Sequence, residues 1–444
     1  MAEPCSPAKA PRADVPRRPV IIKSPRQRGP RPARDATNIL ANRALLTLML
    51  GHCILDMCVG LLPILYPVLT HRFHLDLRAV GFISLAYSGM ASITQPFFGV
   101  IADRYGTRLI GLALIWTATT FSIIGLAPTF PVMVALAAVA GVGSGMYHPM
   151  GAISARAVID ERRRNTAMAV YVTAGTIGVA AGPLLGALVF GIFGAPGTLV
   201  MFVPGIATAL WLLKEVEGVP GRRRTDGQVA RGPAVPVPLA AMAAVILVMM
   251  SRNWTVISFE AYIPSWYKSL GYGAAFYGPL ATTVVLASAL GTVGSGRLAD
   301  RYGRRGIITG TLVLTLPFIL LFAQFTGPSG FVTGGMVGLL AASTGPLTLV
   351  MAQELMAGSA GLASGLVMGL AFVTGAIGVP ITGAVADAFG MRTAFRLQIV
   401  VVLATLLVTP FLPTEGHLAA LGRRRAELAA VEGTAAGAPD PAPA

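Results

Sequence analysis

The sequence predicts an all-α membrane protein with twelve transmembrane helices in two related six-helix bundles, and three observations lead to this fold class. The 444 residues are 54% hydrophobic and 12% charged, with a mean hydropathy of +0.70, whereas soluble domains carry about 25% charged residues. Twelve apolar segments approach the length of about 20 residues that spans a bilayer. The decapeptide at 99–108 recurs at 296–305 with seven of ten positions identical, so the chain contains two copies of one unit.

The twelve predicted spans divide the chain into two bundles with polar flanks. They are 44–69, 79–102, 108–128, 131–157, 166–193, 197–214, 238–266, 276–299, 306–326, 331–355, 361–386 and 393–413. Residues 44–214 form the N-terminal bundle, and residues 238–413 form the C-terminal bundle. We expect residues 1–43, a basic and proline-rich arm, and residues 414–444 to be disordered, and residues 215–237 to be a cytoplasmic linker.

The basic residues indicate the orientation of the chain. Loops after even-numbered spans and both tails contain most of them, including Arg104, Arg108, Arg162, Arg222, Arg301, Arg304, Arg305 and Arg423. Loops after odd-numbered spans contain little beyond Arg72, Arg78, Lys268 and Arg392. The positive-inside rule therefore predicts a multi-pass protein of the cell inner (plasma) membrane with both termini cytoplasmic. The net charge of +15 then reflects topology and contact with the lipid bilayer, and we expect a monomer with no nucleic-acid partner.

The repeated decapeptide is a candidate cytoplasmic gate motif at the ends of spans 2 and 8. Its residues are Gly99, Asp103, Arg104, Gly106 and Arg108 in the first copy, and Gly296, Asp300, Arg301, Gly303 and Arg305 in the second. A carboxylate near a helix C-terminus faces the negative end of the dipole and needs a cationic partner. We expect Asp103 to pair with a nearby arginine or with the start of span 11, and Asp300 with the start of span 5, as latches. The alternative is a solvated charge in a turn.

Asp56 is the candidate proton-coupling residue. It lies near the middle of span 1, where a charged carboxylate costs about 2.5–3.5 kcal/mol. His52 is four residues earlier, on the same helical face. Burial in the low-dielectric interior favours the neutral carboxyl, so Asp56 can bind and release a proton with His52 as relay or hydrogen-bond partner. The alternative is a structural carboxylate tied to a neighbouring helix.

Arg252 and Glu260 in span 7 are candidate substrate-binding residues. An arginine at this depth must face a water-filled cavity or a carboxylate. It can bind a phosphate, phosphonate or carboxylate group through its planar fork, pair with Asp56 across the two halves, or only support packing.

His148 in span 4, with Tyr147 before it, is a further substrate-binding candidate, and His148 could contact the proton instead. Pro149 follows it and frees a backbone carbonyl, and kinks of this kind border cavities. A satisfied packing histidine is the alternative. Gln353 and Glu354 in span 10 are better placed for a cytoplasmic contact than for the central site.

Glycine and proline patterns in spans 5 and 11 indicate close helix packing. They comprise Gly178, Gly182, Pro183 and Gly186 in span 5, and Pro380 and Gly383 in span 11. Small residues let backbones approach closely, and these spans could seal the outer side of a cavity. Tight packing without a gating role is the other interpretation.

The spans and motifs together resemble the major facilitator superfamily over about residues 40–413. The resemblance rests on twelve spans in two repeats, with G-x-x-x-D-R-Y-G-x-R after spans 2 and 8. The span 5 pattern resembles an antiporter motif of that superfamily. Gly51-His52 with Asp56, the run QPFFGVIADRYG, Tyr147-His148-Pro149, and AQEL followed by GLASGLVMGLAF resemble its fosmidomycin-resistance branch of efflux proteins.

This resemblance implies alternating access around a midplane site lined by spans 1, 4, 7 and 10. We expect proton-coupled antiport, that is efflux, of small and anionic drugs or metabolites, with protons and the substrate as partners. Uptake of a small organic anion by the same machinery is the first alternative, and a membrane sensor that does not transport is the second.

Neither an enzyme nor a cofactor is predicted. The chain has no ATP-binding GxxxxGK[ST] loop, no HExxH motif and no clustered nucleophile. Cys5, Cys53 and Cys58 have no metal-binding or paired spacing, so we expect free thiols and no metal site. Energy must then come from an ion gradient or from the gradient of the substrate.

Overall fold

The computed structural model describes residues 42–158, 164–216, 237–356 and 360–436 and is helical in all four ranges. Its α-helices are α1 (Arg43–Phe73), α2 (Leu77–Tyr105), α3 (Ile110–Ser122), α4 (Phe130–Ala157), α5 (Arg164–Phe193), α6 (Phe202–Glu215), α7 (Leu239–Ser269), α8 (Ala274–Tyr302), α9 (Arg304–Gln324), α10 (Ser329–Ala342), α11 (Thr344–Leu355), α12 (Ala360–Phe389), α13 (Met391–Leu406) and α14 (Glu415–Ala436). Short 3₁₀ segments extend α3, α6 and α13. Nearly all of the predicted N-terminal arm and central linker lies outside the described residues.

The predicted spans agree with these helices to within a few residues at each end. Within the described ranges, ten stretches are long and apolar enough to cross a membrane. The other two spans are α2, which has 29 residues, and the shorter apolar stretch Ile110–Leu126. One span consists of two helices, because α10 and α11 are separated at Ser343, three residues before Pro346. The fold is thus the predicted all-α membrane fold in two six-span halves.

The repeated decapeptide ends a helix in the same way in both halves. Gly106 and Gly303 follow α2 and α8 with φ angles of 84° and 80°. Their N–H groups donate to Ala102 O and Ala299 O, each at 2.8 Å. Residues with a Cβ rarely adopt this backbone conformation, so the glycine of the motif is required by geometry at both sites.

Within each half, glycines bring helices into backbone contact. Gly182 of α5 lies against Gly60 of α1, where an added Cβ would come within 2.6 Å of the Gly60 Cα. Gly178 likewise faces the backbone of Cys53. In the C-terminal half α12 packs on α7, and Gly378 lies against the Trp254 ring. Close packing is therefore a role that these glycines have in the structure.

The two halves meet mainly through α2 with α12, α5 with α8, and α1 with α7. We call the face at which α1 begins and α14 lies the terminal face, and the opposite one the distal face. Side chains of the C-terminal half hydrogen-bond to the N-terminal half in the distal part of the interface. They are Tyr262 to Leu77 O (3.0 Å), Lys268 to Pro67 O (3.3 Å), Thr282 to Ala180 O (2.8 Å) and Asp387 from the Leu77 and Arg78 N–H groups (2.9 and 2.8 Å).

The terminal face is the more open of the two. Among the described residues α4 makes no extensive contact with α10 or α11, its counterparts in the other half. Among the described residues the two halves are thus joined mainly on the distal side, as in a conformation that faces the terminal side.

The prediction of a disordered C-terminal tail is wrong for residues 415–436, which form α14. Three contacts hold this helix on the terminal face. Glu415 pairs with Arg304 at the start of α9, Arg425 donates to the carbonyls of Glu354 and Leu355 at the end of α11, and Leu418 is buried. The alanine-rich composition that suggested a polar tail also has high helix propensity.

Candidate functional site

One aspartate and two histidines meet at a point midway along the first span. Asp56 is the thirteenth residue after the start of the 31-residue α1. Its Oδ2 is 3.2 Å from His52 Nε2, one turn earlier on the same helix, and its Oδ1 is 3.3 Å from His148 Nε2 on α4. The side chains of Asp56 and His52 are 14% and 7% exposed, and that of His148 is 30% exposed, so His148 is the most accessible member. We call these three residues the triad.

The backbone fixes which ring nitrogens face the carboxylate. His52 Nδ1 is 2.9 Å from Tyr171 O, and His148 Nδ1 is 2.8 Å from Ser144 O. A carbonyl oxygen only accepts, so each Nδ1 carries the hydrogen and each Nε2 of a neutral ring offers a lone pair. Both lone pairs then point at an ionised carboxylate, which also only accepts. The contacts are favourable only when at least one proton, on a ring nitrogen or on the carboxyl group, or a cation lies between these atoms.

Two aromatic residues and a glycine position the triad. The ring of Tyr171 on α5 stacks on His52 with centroids 4.4 Å apart. Gly175, one turn further along α5, leaves room beside the triad, because a Cβ there would be 2.5 Å from Asp56 Oδ2 and 2.7 Å from His52 Nε2. Tyr147 is fully buried, and its hydroxyl donates to Leu48 O at 2.9 Å. This structure therefore places Tyr147 in the packing behind the triad.

Arg252 occupies the matching depth in the other half, since it is the thirteenth residue after the start of the 31-residue α7. Its Nη1 donates to Asn253 Oδ1 at 2.5 Å. Its Nε and Asn253 Nδ2 are buried without a hydrogen-bond acceptor in the described part of the chain. Gly345 lies over the guanidinium, where a Cβ would be 3.3 Å from Arg252 Cζ. Two unsatisfied donors beside a fixed positive charge form a place suited to an anion.

The alternative in which Arg252 pairs with Asp56 is not observed. The Asp56 carboxylate contacts the two histidines, and no carboxylate of the described residues lies within 4.0 Å of Arg252. Its charge is therefore not neutralised by direct contact with a described carboxylate, although Glu260 acts on it from two turns away.

Glu260 lies two turns beyond Arg252 on α7 and lines a cavity of about 220 Å³ between the halves. The polar lining residues Tyr66, Ser84 and Ser88 belong to the N-terminal half, and most of the other lining residues are apolar. No hydrogen bond or ion pair of Glu260 to another described residue is present. The structure thus places Glu260 in a cavity but not in direct contact with Arg252.

Asp387 on the distal face is a functional candidate that the sequence analysis missed. It lies in the last turn of α12 and accepts hydrogen bonds from the N–H groups that begin α2. A carboxylate at a helix C-terminus is unfavourable unless it has such a partner. The same signal that selected Asp103 and Asp300 could have selected Asp387.

The gate motif residues do not form the predicted latches among the described side chains. The guanidinium groups of Arg104 and Arg301 lie over the neighbouring rings of Tyr105 and Tyr302, at 5.4 and 5.2 Å. Asp300 is exposed and pairs with no described group. The side chain of Asp103 lies outside the described part of the structure, so its latch stays a prediction. Gly99 and Gly296 lie near the terminal ends of α2 and α8, the second span of each half, and Arg108 and Arg305 lie just beyond those ends.

An ion-pair network joins three helices near the second copy of the motif. Arg304 contacts Glu354 Oε1 at 3.0 Å and Glu415 Oε2 at 2.7 Å. Hydrogen bonds from the Arg304 side chain lower the pKa of Glu415 below its usual value. Glu354 was expected to make a cytoplasmic contact, and it lies on the terminal face as part of this network.

Known proteins with similar sequences and structures are membrane transporters. A model of the Major Facilitator Superfamily matches residues 48–284 and 243–436. The fosmidomycin resistance protein of Escherichia coli K12 is 27% identical over 377 residues, covering 83% of this chain and 92% of that protein. The uncharacterised MFS-type transporter YfnC of Bacillus subtilis 168 is 29% identical over 392 residues, covering 83% and 90%.

A solved structure with the same fold is a bacterial homologue of the human lysosomal transporter Spinster in an inward-facing, occupied conformation. It has a TM-score of 0.71 at 14% identity and covers 82% of this chain and 95% of its own. The fold, the two matched halves and the sequence relatives agree. This protein therefore belongs to the Major Facilitator Superfamily, whose members carry solutes across membranes.

Proposed function

We propose that this protein is a proton-coupled antiporter that exports a small anionic compound. The observation that carries the proposal is the placement of opposite charges at the same depth in the two halves. The triad can hold protons in the N-terminal half, and Arg252 is without a carboxylate partner among the described residues of the C-terminal half.

The terminal face is the cytoplasmic face in this proposal. Arginines of both motif copies and of α14 lie there, which follows the positive-inside rule. The conformation described above would then be open to the cytoplasm, ready to accept a substrate for export. The distal hydrogen bonds would have to break for release outside.

Asp56 carries the proton in the proposed cycle. Its carboxylate is nearly buried between His52 and His148, and the facing lone pairs require protons in this conformation. When the halves rock, the side of the membrane from which the triad can be reached changes, so protons can be taken up on one side and released on the other. Of the two contacts expected for His148, proton or substrate, the proposal takes the first, because His148 contacts Asp56 directly and is the most exposed member of the triad.

Arg252 binds the anionic group of the substrate. A guanidinium keeps its charge at all physiological pH values and can form two parallel hydrogen bonds to a phosphonate, phosphate or carboxylate. The unsatisfied Arg252 Nε and Asn253 Nδ2 gain acceptors when such a group enters. Export is favoured over uptake because one relative is named for resistance to a compound, and removal from the cell is how a transporter lowers exposure.

Proteoliposomes that contain a pH-sensitive dye test the coupling, with fosmidomycin as the probe. Antiport predicts that external fosmidomycin raises the luminal pH, since protons leave as the probe enters. Acidification would instead show symport and overturn the direction of coupling, and an unchanged luminal pH during probe uptake would overturn coupling itself.

Two variants assign the roles. Asp56→Asn should bind the probe without moving protons, whereas Asp76→Asn, at an exposed carboxylate that caps α2, should behave like the wild type. Arg252→Lys keeps the charge but loses the fork, so the concentration of probe giving half-maximal response should rise about tenfold. Unchanged half-saturation in Arg252→Lys would remove Arg252 from the anion site.

A further inference from the structure

The triad has the composition and spacing of a metal site. It brings two imidazole nitrogens and a carboxylate from two helices to within 4.8 Å of one another. Cysteine spacing and local motifs do not predict such a site, because His148 is far from His52 and Asp56 in the sequence. Neutral imidazole and carboxylate are the ligands that Zn²⁺ and Co²⁺ accept in proteins.

The distances fit a tetrahedral ion. Zinc bonds of about 2.0–2.1 Å place neighbouring ligands about 3.3 Å apart. His52 Nε2 is 3.2 Å from Asp56 Oδ2 and His148 Nε2 is 3.3 Å from Asp56 Oδ1, so both nitrogens lie at this spacing from the carboxylate, each on its own oxygen. The two imidazole nitrogens are at most 4.8 Å apart, so a small rotation of His148, the more exposed ring, completes the set.

The surrounding groups also match a metal site. In each ring Nδ1 donates to a backbone carbonyl and Nε2 is left free, which is the orientation that metal-bound histidines have. A dication between the three atoms satisfies both facing lone pairs and the carboxylate. Gly175 packs directly against Asp56 and His52, where a Cβ would come within 2.7 Å of His52 Nε2, so a larger residue there would displace the ligands. The exposed side of His148 leaves a fourth position for water.

We propose that His52, Asp56 and His148 bind one transition-metal dication of the Zn²⁺ and Co²⁺ class in competition with protons. Because the triad is also the proton site of the proposed function, a bound metal excludes the coupling protons and so inhibits transport. The competition follows from the ligand atoms, since a metal on Nε2 displaces the proton there. Metal binding itself does not depend on whether protons drive transport.

The direct test is titration of purified full-length protein with Co²⁺, carried out without a polyhistidine tag. We expect one equivalent to bind with visible absorption bands at pH 7.5, and the affinity to fall more than tenfold at pH 5.5. His148→Gln should lose this binding, and Asp56→Asn should weaken it more than tenfold. Thermal unfolding of each variant checks that it is folded.

Control variants exclude other ligands. His71 and His74 lie near each other at the distal end of α1, and Cys53 lies next to His52, so His74→Ala and Cys53→Ser should bind Co²⁺ like the wild type. The proposed site is overturned if the wild type binds no Co²⁺, if His148→Gln still binds it, or if either control variant loses it.

The outcome separates the two proposals. Co²⁺ binding without proton movement on addition of fosmidomycin keeps the metal site and rejects the proposed function. Proton-coupled transport by a protein that binds no Co²⁺ keeps the proposed function and rejects the metal site.

Discussion

Asp387 on the distal face provides a quantitative test of how the two halves are held. The variant Asp387→Ala removes two charge-assisted hydrogen bonds, to the Leu77 and Arg78 N–H groups at 2.9 and 2.8 Å. A buried bond of this kind contributes about 1.5–3 kcal/mol, and we take about 1 kcal/mol for each because Asp387 is exposed. The loss of about 2 kcal/mol should shift the equilibrium toward an open distal face about 30-fold.

Electron paramagnetic resonance distances measure this shift. Spin labels at Leu126→Cys and Leu270→Cys report on the distal face, because both positions are exposed and lie in opposite halves. Cys5, Cys53 and Cys58 are replaced by serine in the labelled chain. A closed state favoured 100-fold should become favoured about threefold in Asp387→Ala, so a second, longer distance should be readily detected.

Asp76→Ala is the matched control for this experiment. Asp76 Oδ1 accepts from Ala79 N at 2.6 Å and caps the same helix from within the N-terminal half. Its loss weakens the start of α2 by about 1 kcal/mol but leaves the link between the halves. The reasoning is refuted when Asp387→Ala has the distance distribution of the wild type, or when Asp76→Ala opens the distal face equally.

Three further predictions concern stability and the terminal face. Gly106→Ala should lower the free energy of unfolding by about 1–3 kcal/mol because of its φ of 84°, whereas Gly296→Ala, where a Cβ meets no atom within 4 Å, should be neutral in thermal unfolding. Gly182→Val should prevent tight packing of α5 on α1 and reduce the yield of folded protein, while Gly191→Val, in open space, should be tolerated when yields are compared by size-exclusion chromatography. Glu415 has a lowered pKa, so its contribution to α14 docking is present above the usual carboxyl pKa and is lost as the pH falls through the lowered value. Protection factors in α14, which correct the exchange rate for its intrinsic pH dependence, should therefore fall at acidic pH, and Glu415→Gln should show the lower protection already at pH 7; equal protection in the variant and the wild type at pH 7 would contradict this.

The spans and the two-fold repeat could be read from the sequence because they depend on composition and on one recurring decapeptide. The contact between His52 and Asp56 was also predictable, since residues four apart share a helical face. The addition of His148 depends on how α4 is rotated against α1, which apolar periodicity in a membrane helix fixes only loosely. The position of Gly175 beside the triad could not be predicted for the same reason, since it depends on the rotation of α5.

Other features depended on signals that compete with each other. The polar tail has both a disordered composition and a high helix propensity, and contacts of Glu415 and Arg425 with the bundle decide the outcome. The sequence could not decide whether Arg252 pairs with Asp56, because both residues lie at the same depth. The structure separates them by giving Asp56 two histidine partners.

The hydrogen bonds across the distal face share an asymmetry that affects how the gate can be altered. Tyr262, Lys268, Thr282 and Asp387 contribute side chains from the C-terminal half, and each meets a main-chain group of the N-terminal half. Replacing a side chain in the N-terminal half leaves its peptide groups in place. A mutational scan for residues that control opening should therefore find its strong positions almost entirely in the C-terminal half. In that half, substitutions should be tolerated only at positions whose side chains do not bond to peptide groups of the N-terminal half.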